Sequence, residues 1–155
     1  MNLLIKKYEL EGRLEFEKYL NNLYPNDKFI VNNVNEEFVF SKNDTFLSIT
    51  NRKTLQLKEY VIEIKKRNTH YDELMLEKPK YESNIKIAEK FEAKSLYFNI
   101  TPKGTYVFDL SNLNVNENQW QQKMLPKVTC NPSLGKVMKS VTYLNINQSI
   151  LGIFN

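Results

Sequence analysis

The feature that most constrains this chain is a strand-like segment, residues 55–66, in which charged side chains interrupt an apolar run. Side chains alternate between the two faces of a strand, so Glu63 and Lys65 share one face with Val61. A carboxylate and an ammonium group on one face can converge on a single ligand. Because charges are costly in apolar surroundings, their position in this segment indicates a functional site.

A second strand is predicted just before this one, over residues 45–50. If the reversal between the two strands centres between Lys53 and Thr54, Asp44 lies opposite Glu63 in an antiparallel hairpin. This register buries one apolar face and brings two carboxylates within cross-strand reach. A slip of one residue would place Asp44 on the other face, so the prediction depends on the turn.

The rest of the chain alternates between helical and strand-like patterns. Apolar residues at helical spacing predict a helix over residues 6–24, which Pro25 terminates. A second helix is predicted from Pro79 to about residue 94, since proline suits the first helical position. Further strands are predicted at residues 29–31, 37–40, 95–100, 105–110 and 137–146. This order predicts an α/β (α+β) fold with one central mixed sheet flanked by helices.

Composition excludes several kinds of chemistry. The single histidine, His70, excludes zinc sites built on histidine clusters, and four glycines are too few for a glycine-rich phosphate loop. The single cysteine, Cys130, excludes an internal disulfide. A net charge of +4 permits a phosphate-bearing partner. Carboxylate, lysine and hydroxyl chemistry remains.

No apolar run is long enough for a signal peptide or a membrane helix, so we expect no membrane association and a cytoplasmic location. Lysine outnumbers arginine 19 to 3, and asparagine occurs 20 times. AT-rich coding produces this bias, which favours a bacterium or a phage-infected host cell as the source.

The hairpin residues resemble the signature of a known enzyme family. Asp44, followed nineteen residues later by Glu63-Ile64-Lys65, resembles the motif of the PD-(D/E)XK nuclease superfamily. Residues 76–81 are similar to the Glu-x-x-Lys segment of its phage and bacterial members. Residues 97–99 and 104–110 are similar to the strands that close the family's sheet. The resemblance covers about residues 9–110 and is nearest to small, Holliday junction resolvase-like nucleases.

The resemblance implies a restriction-endonuclease-like core over residues 1–110, with residues 111–155 as a C-terminal extension packed on the same domain. Asn43 replaces the proline of the motif, so Asp27 and Glu37 compete with Asp44 for its role.

The resemblance also implies catalytic and metal-binding residues. Mg²⁺, or Mn²⁺, prefers oxygen ligands, and these would come from Asp44, Glu63 and the backbone carbonyl of Ile64. Lys65 would orient or deprotonate a water molecule, or stabilise charge on the phosphate. The helix after the strand would add Lys80. Family members often add an acid from the first helix, for which Glu17 is our choice over Glu11 and Glu15.

These residues predict a Mg²⁺-dependent deoxyribonuclease that hydrolyses phosphodiester bonds, including those of structured or branched DNA. Arg52, Lys53, Lys66 and Arg67 flank the hairpin and are predicted to contact DNA phosphates. Cutting two strands symmetrically suits a homodimer.

Two alternatives stay open at this point. One is a nuclease-fold protein that does not cut and acts as a phage nucleic-acid-binding, structural or inhibitory protein. The other is an unrelated α/β protein in which Glu63 and Lys65 form an exposed ion pair on an edge strand.

Overall fold

The computed structural model describes residues 3–25, 28–33, 44–50, 53–128 and 132–150. Its helices are α1 (Leu3–Leu23) and α2 (Lys78–Lys90). Its strands are β1 (Lys28–Asn33), β2 (Asp44–Thr50), β3 (Leu57–Lys66), β4 (Glu73–Glu77), β5 (Lys94–Thr101), β6 (Gly104–Asp109), β7 (Gln121–Pro126) and β8 (Lys136–Asn145). The predicted α+β class is confirmed.

The main sheet has five strands in the order β1-β2-β3-β5-β6. Strands β3 and β5 are parallel, whereas the other neighbours are antiparallel. A parallel pair needs a crossover connection, and α2 supplies it between β3 and β5. The predicted mixed sheet is therefore confirmed. Strand β3 is an inner strand, so the edge-strand alternative for Glu63 and Lys65 is wrong.

The predicted hairpin register is confirmed. Asp44 pairs with Glu63, and Phe46 pairs with Val61. On the other side of β3, Glu63 pairs with Tyr97 of β5. Glu63 therefore lies in the middle of three hydrogen-bonded strands, which fix its backbone.

Helix α1 covers one face of the main sheet. The ring of Phe98 from β5 lies edge-on to the rings of Phe16 and Tyr19, each with a centroid distance of 4.9 Å. Gly12 permits a close approach, because a Cβ atom there would lie 3.4 Å from Ile64 Cγ2. Ile64 and Phe98 therefore point toward α1.

Helix α2 covers the opposite face, where Val61 packs with Ile87 and Ala88. Glu63 and Lys65 share the face of Val61, since strand residues two apart point the same way. The charged pair is consequently directed to the α2 side of the sheet.

A second, three-stranded sheet lies on the α2 side, in the order β4-β8-β7. Leu74, Leu76 and Leu144 from this sheet pack with Tyr97 and Phe108 of the main sheet. The sequence pattern predicts the third strand of this sheet, at residues 137–146, but no strand at residues 73–77 or 121–126, where the structure has β4 and β7.

Residues beyond 110 thus pair with the earlier part of the chain through β4 and β8. The backbone N–H of Ile150 also donates to the carbonyl of Val107, at 2.8 Å. Within the described residues, neither helix is long and apolar enough to cross a membrane.

Helix α2 ends earlier than predicted. It stops at Lys90, and Glu92 adopts a positive φ of 53°, which a helix cannot accommodate. The predicted strand at residues 37–40 lies outside the described residues, as do the candidates Asp27 and Glu37.

Candidate active site

Glu63 is the centre of the candidate site. Its residue surface is 5% exposed, although it carries a carboxylate. A buried carboxylate is costly unless a cation or hydrogen-bond donors accompany it. The ammonium group of Lys80, near the start of α2, lies 3.3 Å from Oε1 and 3.5 Å from Oε2 of Glu63. The structure therefore brings together two predicted site residues that lie 17 positions apart in the sequence.

Lys65 lies on the same face of β3 as Glu63, two residues further on. Burial lowers the pKa of the Lys65 ammonium group, and the nearby positive charge of Arg67 lowers it further. The carboxylates of Glu63 and Glu77 act in the opposite direction. Lys65 therefore releases a proton more readily than an exposed lysine does, which suits a group that exchanges a proton with water.

Asp44 is the first residue of β2, and its backbone lies directly opposite Glu63. Residue Ile64, whose carbonyl is a predicted ligand, lies in β3 between Glu63 and Lys65. The backbones of Asp44, Glu63 and Ile64, the predicted metal ligands of the hairpin, therefore lie together in the second half of β3 and the start of β2.

The chemistry of this donor set fits Mg²⁺. Mg²⁺ is commonly held by one or two carboxylates while it keeps several waters, and Asp44 and Glu63 would supply that number. The Lys80 ammonium group balances the charge of the Glu63 carboxylate, as a bound cation would. Within the part of the chain that the structure describes, no group of three or more His, Cys, Asp or Glu side chains forms a closed metal cage.

Arg67 anchors a polar network beside the site. Its guanidinium group donates to Asn99 Oδ1 at 2.9 Å, to the Tyr97 hydroxyl at 3.0 Å and to the Met75 carbonyl at 2.7 Å. The Tyr97 hydroxyl donates to the same carbonyl, at 2.7 Å. Nε and Nη2 of Arg67, a predicted DNA contact, thus donate to β4 and β5 within the protein.

Burial raises the pKa of Tyr97 to about 12, above its ordinary value of 10.0. The folded state therefore favours the neutral phenol, and the stability this provides is complete below pH 10 and is lost as the pH rises toward 12. We expect Tyr97 alone to account for about 2–3 kcal/mol of lost stability across that window, at about 1.4 kcal/mol per pKa unit.

Urea denaturation at pH 9 and pH 11 measures this loss. Tyr97→Phe, which has no titrating group at this position, is expected to lose less stability between the two pH values than the wild type. Equal losses in both proteins would show that Tyr97 does not titrate in this range.

Two other predicted site residues lie away from the cluster. Lys66 points to the α1 side, where its ammonium group lies 3.2 Å from Glu11 Oε2 and 2.7 Å from Glu15 Oε1. Glu17 is exposed on α1, which covers the face opposite Glu63. The structure therefore brings neither Lys66 nor Glu17 to the site, and Lys66 binds helix acids within the protein.

Of the remaining predicted DNA contacts, Lys53 is exposed in the turn between β2 and β3, at the end of β3 away from Glu63. Arg52 lies outside the described residues.

The sequence analysis missed a buried polar residue on α2. Asn84 is fully buried, and neither atom of its amide has a hydrogen-bond partner among the described residues. It follows Lys80 by four residues, so the two side chains lie on one side of the helix. The position of this polar residue, one helical turn after Lys80, was the feature of the sequence that could have identified it.

No protein-family model matches the sequence, and no curated protein matches it. Among solved structures, the chain is similar to Hjc of Archaeoglobus fulgidus, a Holliday junction resolvase from an archaeal hyperthermophile. The identity is 14% and the TM-score is 0.50, and the match covers 92% of this chain and 90% of that chain. This likeness confirms the predicted restriction-endonuclease-like fold.

Proposed function

We propose that this protein is a metal-dependent nuclease that hydrolyses DNA phosphodiester bonds. The observation that supports this most strongly is the pairing of Asp44 with Glu63, with Lys65 and Lys80 on the same side of β3. Glu63 is buried, and the Lys80 ammonium group balances its charge, as a bound metal ion would. A scaffold has little need of this costly arrangement.

The proposed roles follow from the position of each side chain. Asp44, Glu63 and the carbonyl of Ile64 would hold Mg²⁺ or Mn²⁺, which would polarise the phosphate and acidify a water molecule. Lys65, whose pKa is lowered, would orient that water and take up its proton. Lys80 would stabilise the negative charge that develops on the phosphate oxygens.

Branched DNA is the substrate that we propose, because the Archaeoglobus protein of the same fold is a Holliday junction resolvase. A four-way junction requires two symmetric cuts, so we also propose that the active form is a homodimer. Each subunit would supply one complete site, since all four residues come from a single chain.

A cleavage assay on a panel of labelled DNAs tests this proposal. Linear duplex, nicked duplex and four-way junction are each incubated with Mg²⁺, with Mn²⁺ or with EDTA. We expect cutting that requires a divalent metal, stops in EDTA and is fastest on the junction. Folded protein that cuts none of these substrates would refute the nuclease proposal. Binding without cutting would instead support the alternative of a DNA-binding protein on a nuclease fold.

A further inference from the structure

The outer half of the second sheet is a two-stranded ribbon. Strand β4 pairs with β8 only from Val141 onward, and β7 begins opposite the same residue. Residues 136–140 of β8 therefore pair with β7 alone among the described strands. At about 3.3 Å per residue, the ribbon extends about 17 Å beyond the end of β4. The backbone N–H of Lys127 continues it by donating to the Gly135 carbonyl, at 2.9 Å.

The ribbon exposes side chains that a folded domain normally covers. Met124 and Met138 lie opposite each other and are 54% and 58% exposed. Met138 lies on the same face of β8 as Leu144, because the two residues are an even number of positions apart. The side chain of Leu144 packs into the protein. The apolar face thus continues past the end of the core without a covering element among the described residues.

The charged residues of the ribbon are all basic. No acidic residue follows Glu117, whereas Lys123, Lys127, Lys136 and Lys139 all do. The remaining 18 basic residues are equal in number to the 18 acidic ones, so the entire net charge of +4 lies in this last part of the chain. Lys123, Lys127 and Lys136 are exposed. Such a segment attracts a polyanion and repels a copy of itself.

The base of the ribbon lies beside the candidate active site. Glu77, the last residue of β4, pairs with Val141, and its Oε1 lies 3.1 Å from the ammonium group of Lys139. Glu77 directly precedes α2, whose Lys80 contacts Glu63. The base of the ribbon therefore contacts Glu77, which precedes the proposed catalytic residue Lys80 by three positions.

We propose that the β7–β8 ribbon is a DNA-binding arm that grips the duplex next to the scissile phosphate. The major groove of duplex DNA admits a two-stranded β-ribbon, and lysines along the ribbon would contact the phosphates on either side. The exposed methionines supply apolar surface for contact with the groove. This inference rests on the proposed nuclease function only for the choice of DNA as the ligand. Binding to DNA is measured separately from cutting, so the two proposals can fail independently.

The test compares two triple variants with the same net charge. One, K123Q/K127Q/K136Q, neutralises the ribbon, and the matched control, K18Q/K86Q/K103Q, neutralises three exposed lysines elsewhere. Both are made in the Glu63→Gln background, and their affinity for a fluorescent four-way junction is measured in EDTA from 50 to 200 mM salt. Circular dichroism checks that each variant is folded.

We expect the ribbon variant to bind roughly ten- to hundredfold more weakly than the control. We also expect the slope of log affinity against log salt to fall by about 0.9 for each lost phosphate contact. Equal affinities and slopes for the two variants would overturn the inference, even if the wild type cuts DNA. A ribbon that binds DNA in a protein that never cuts would support the inference and refute the nuclease function. Dissociation of a dimer on Met124→Ser/Met138→Ser substitution, with DNA affinity unchanged, would overturn it in favour of a second copy.

Discussion

Glu63→Gln is expected to lower the single-turnover rate of DNA cleavage by about 10³-fold, a loss of the size seen when a key polar group is removed from an active site. The amide keeps the shape of the side chain but removes the charge that would hold a metal ion and that now attracts Lys80. Affinity for DNA is expected to stay near the wild-type value, because phosphate contacts dominate DNA affinity.

The matched control for this prediction is Glu59→Gln. Glu59 lies on β3 four residues before Glu63 and on the same face, but it pairs with Ser48 and lies near the other end of the strand. It is expected to cut at close to the wild-type rate. If Glu63→Gln cut as fast as Glu59→Gln, the carboxylate of Glu63 would have no part in the reaction.

Phe98→Ala is expected to lower the free energy of unfolding by about 3–5 kcal/mol. The Phe98 side chain is fully buried, and its ring contacts those of Phe16 and Tyr19 at centroid distances of 4.9 Å. Its removal leaves a cavity under α1 in the middle of the main sheet. Domains of this size are stable by only about 5–15 kcal/mol, so the loss is a large fraction of the total.

Urea denaturation measures this effect against Phe91→Ala. Phe91 follows the last residue of α2 and is 37% exposed, so its truncation is expected to cost less than about 1 kcal/mol. Similar losses for the two variants would show that α1 does not pack on Phe98 as described.

The hairpin was predictable because local pattern and register agree. Leu47 and Ile62 must share the apolar face, which excludes a slip of one residue, and a turn centred between Lys53 and Thr54 selects one register among those that remain. That register places Asp44 opposite Glu63, as the structure has it. The contact of Lys80 with Glu63 was suggested only by family resemblance, since no local pattern joins a helix to a strand.

The second sheet was not predictable from local pattern. Strand β4 pairs with β8, which lies more than 60 residues further along the chain, so its hydrogen bonds depend on a distant partner. Strand β7 is largely exposed on both faces and therefore lacks the alternation of apolar and polar residues that marks a half-buried strand.

The partners of individual charged side chains were also not predictable from the sequence. Lys66 and Arg67 are adjacent basic residues after a strand, a pattern typical of a phosphate-binding surface. In the fold, Lys66 pairs with acids of α1, whereas Arg67 points to the other side and binds Tyr97 and Asn99. Only the packing of α1 and β4 determines these partners.

We propose that Asp44 and Glu63, whose backbones pair across the hairpin, hold a divalent metal ion. Titration of the protein with Mn²⁺, followed by electron paramagnetic resonance of the unbound ion, tests it directly and needs no substrate. We expect the wild type and Glu59→Gln to bind Mn²⁺ at the same site, and Asp44→Asn and Glu63→Gln each to lose it. Undiminished Mn²⁺ binding in both of the last two variants would contradict the claim.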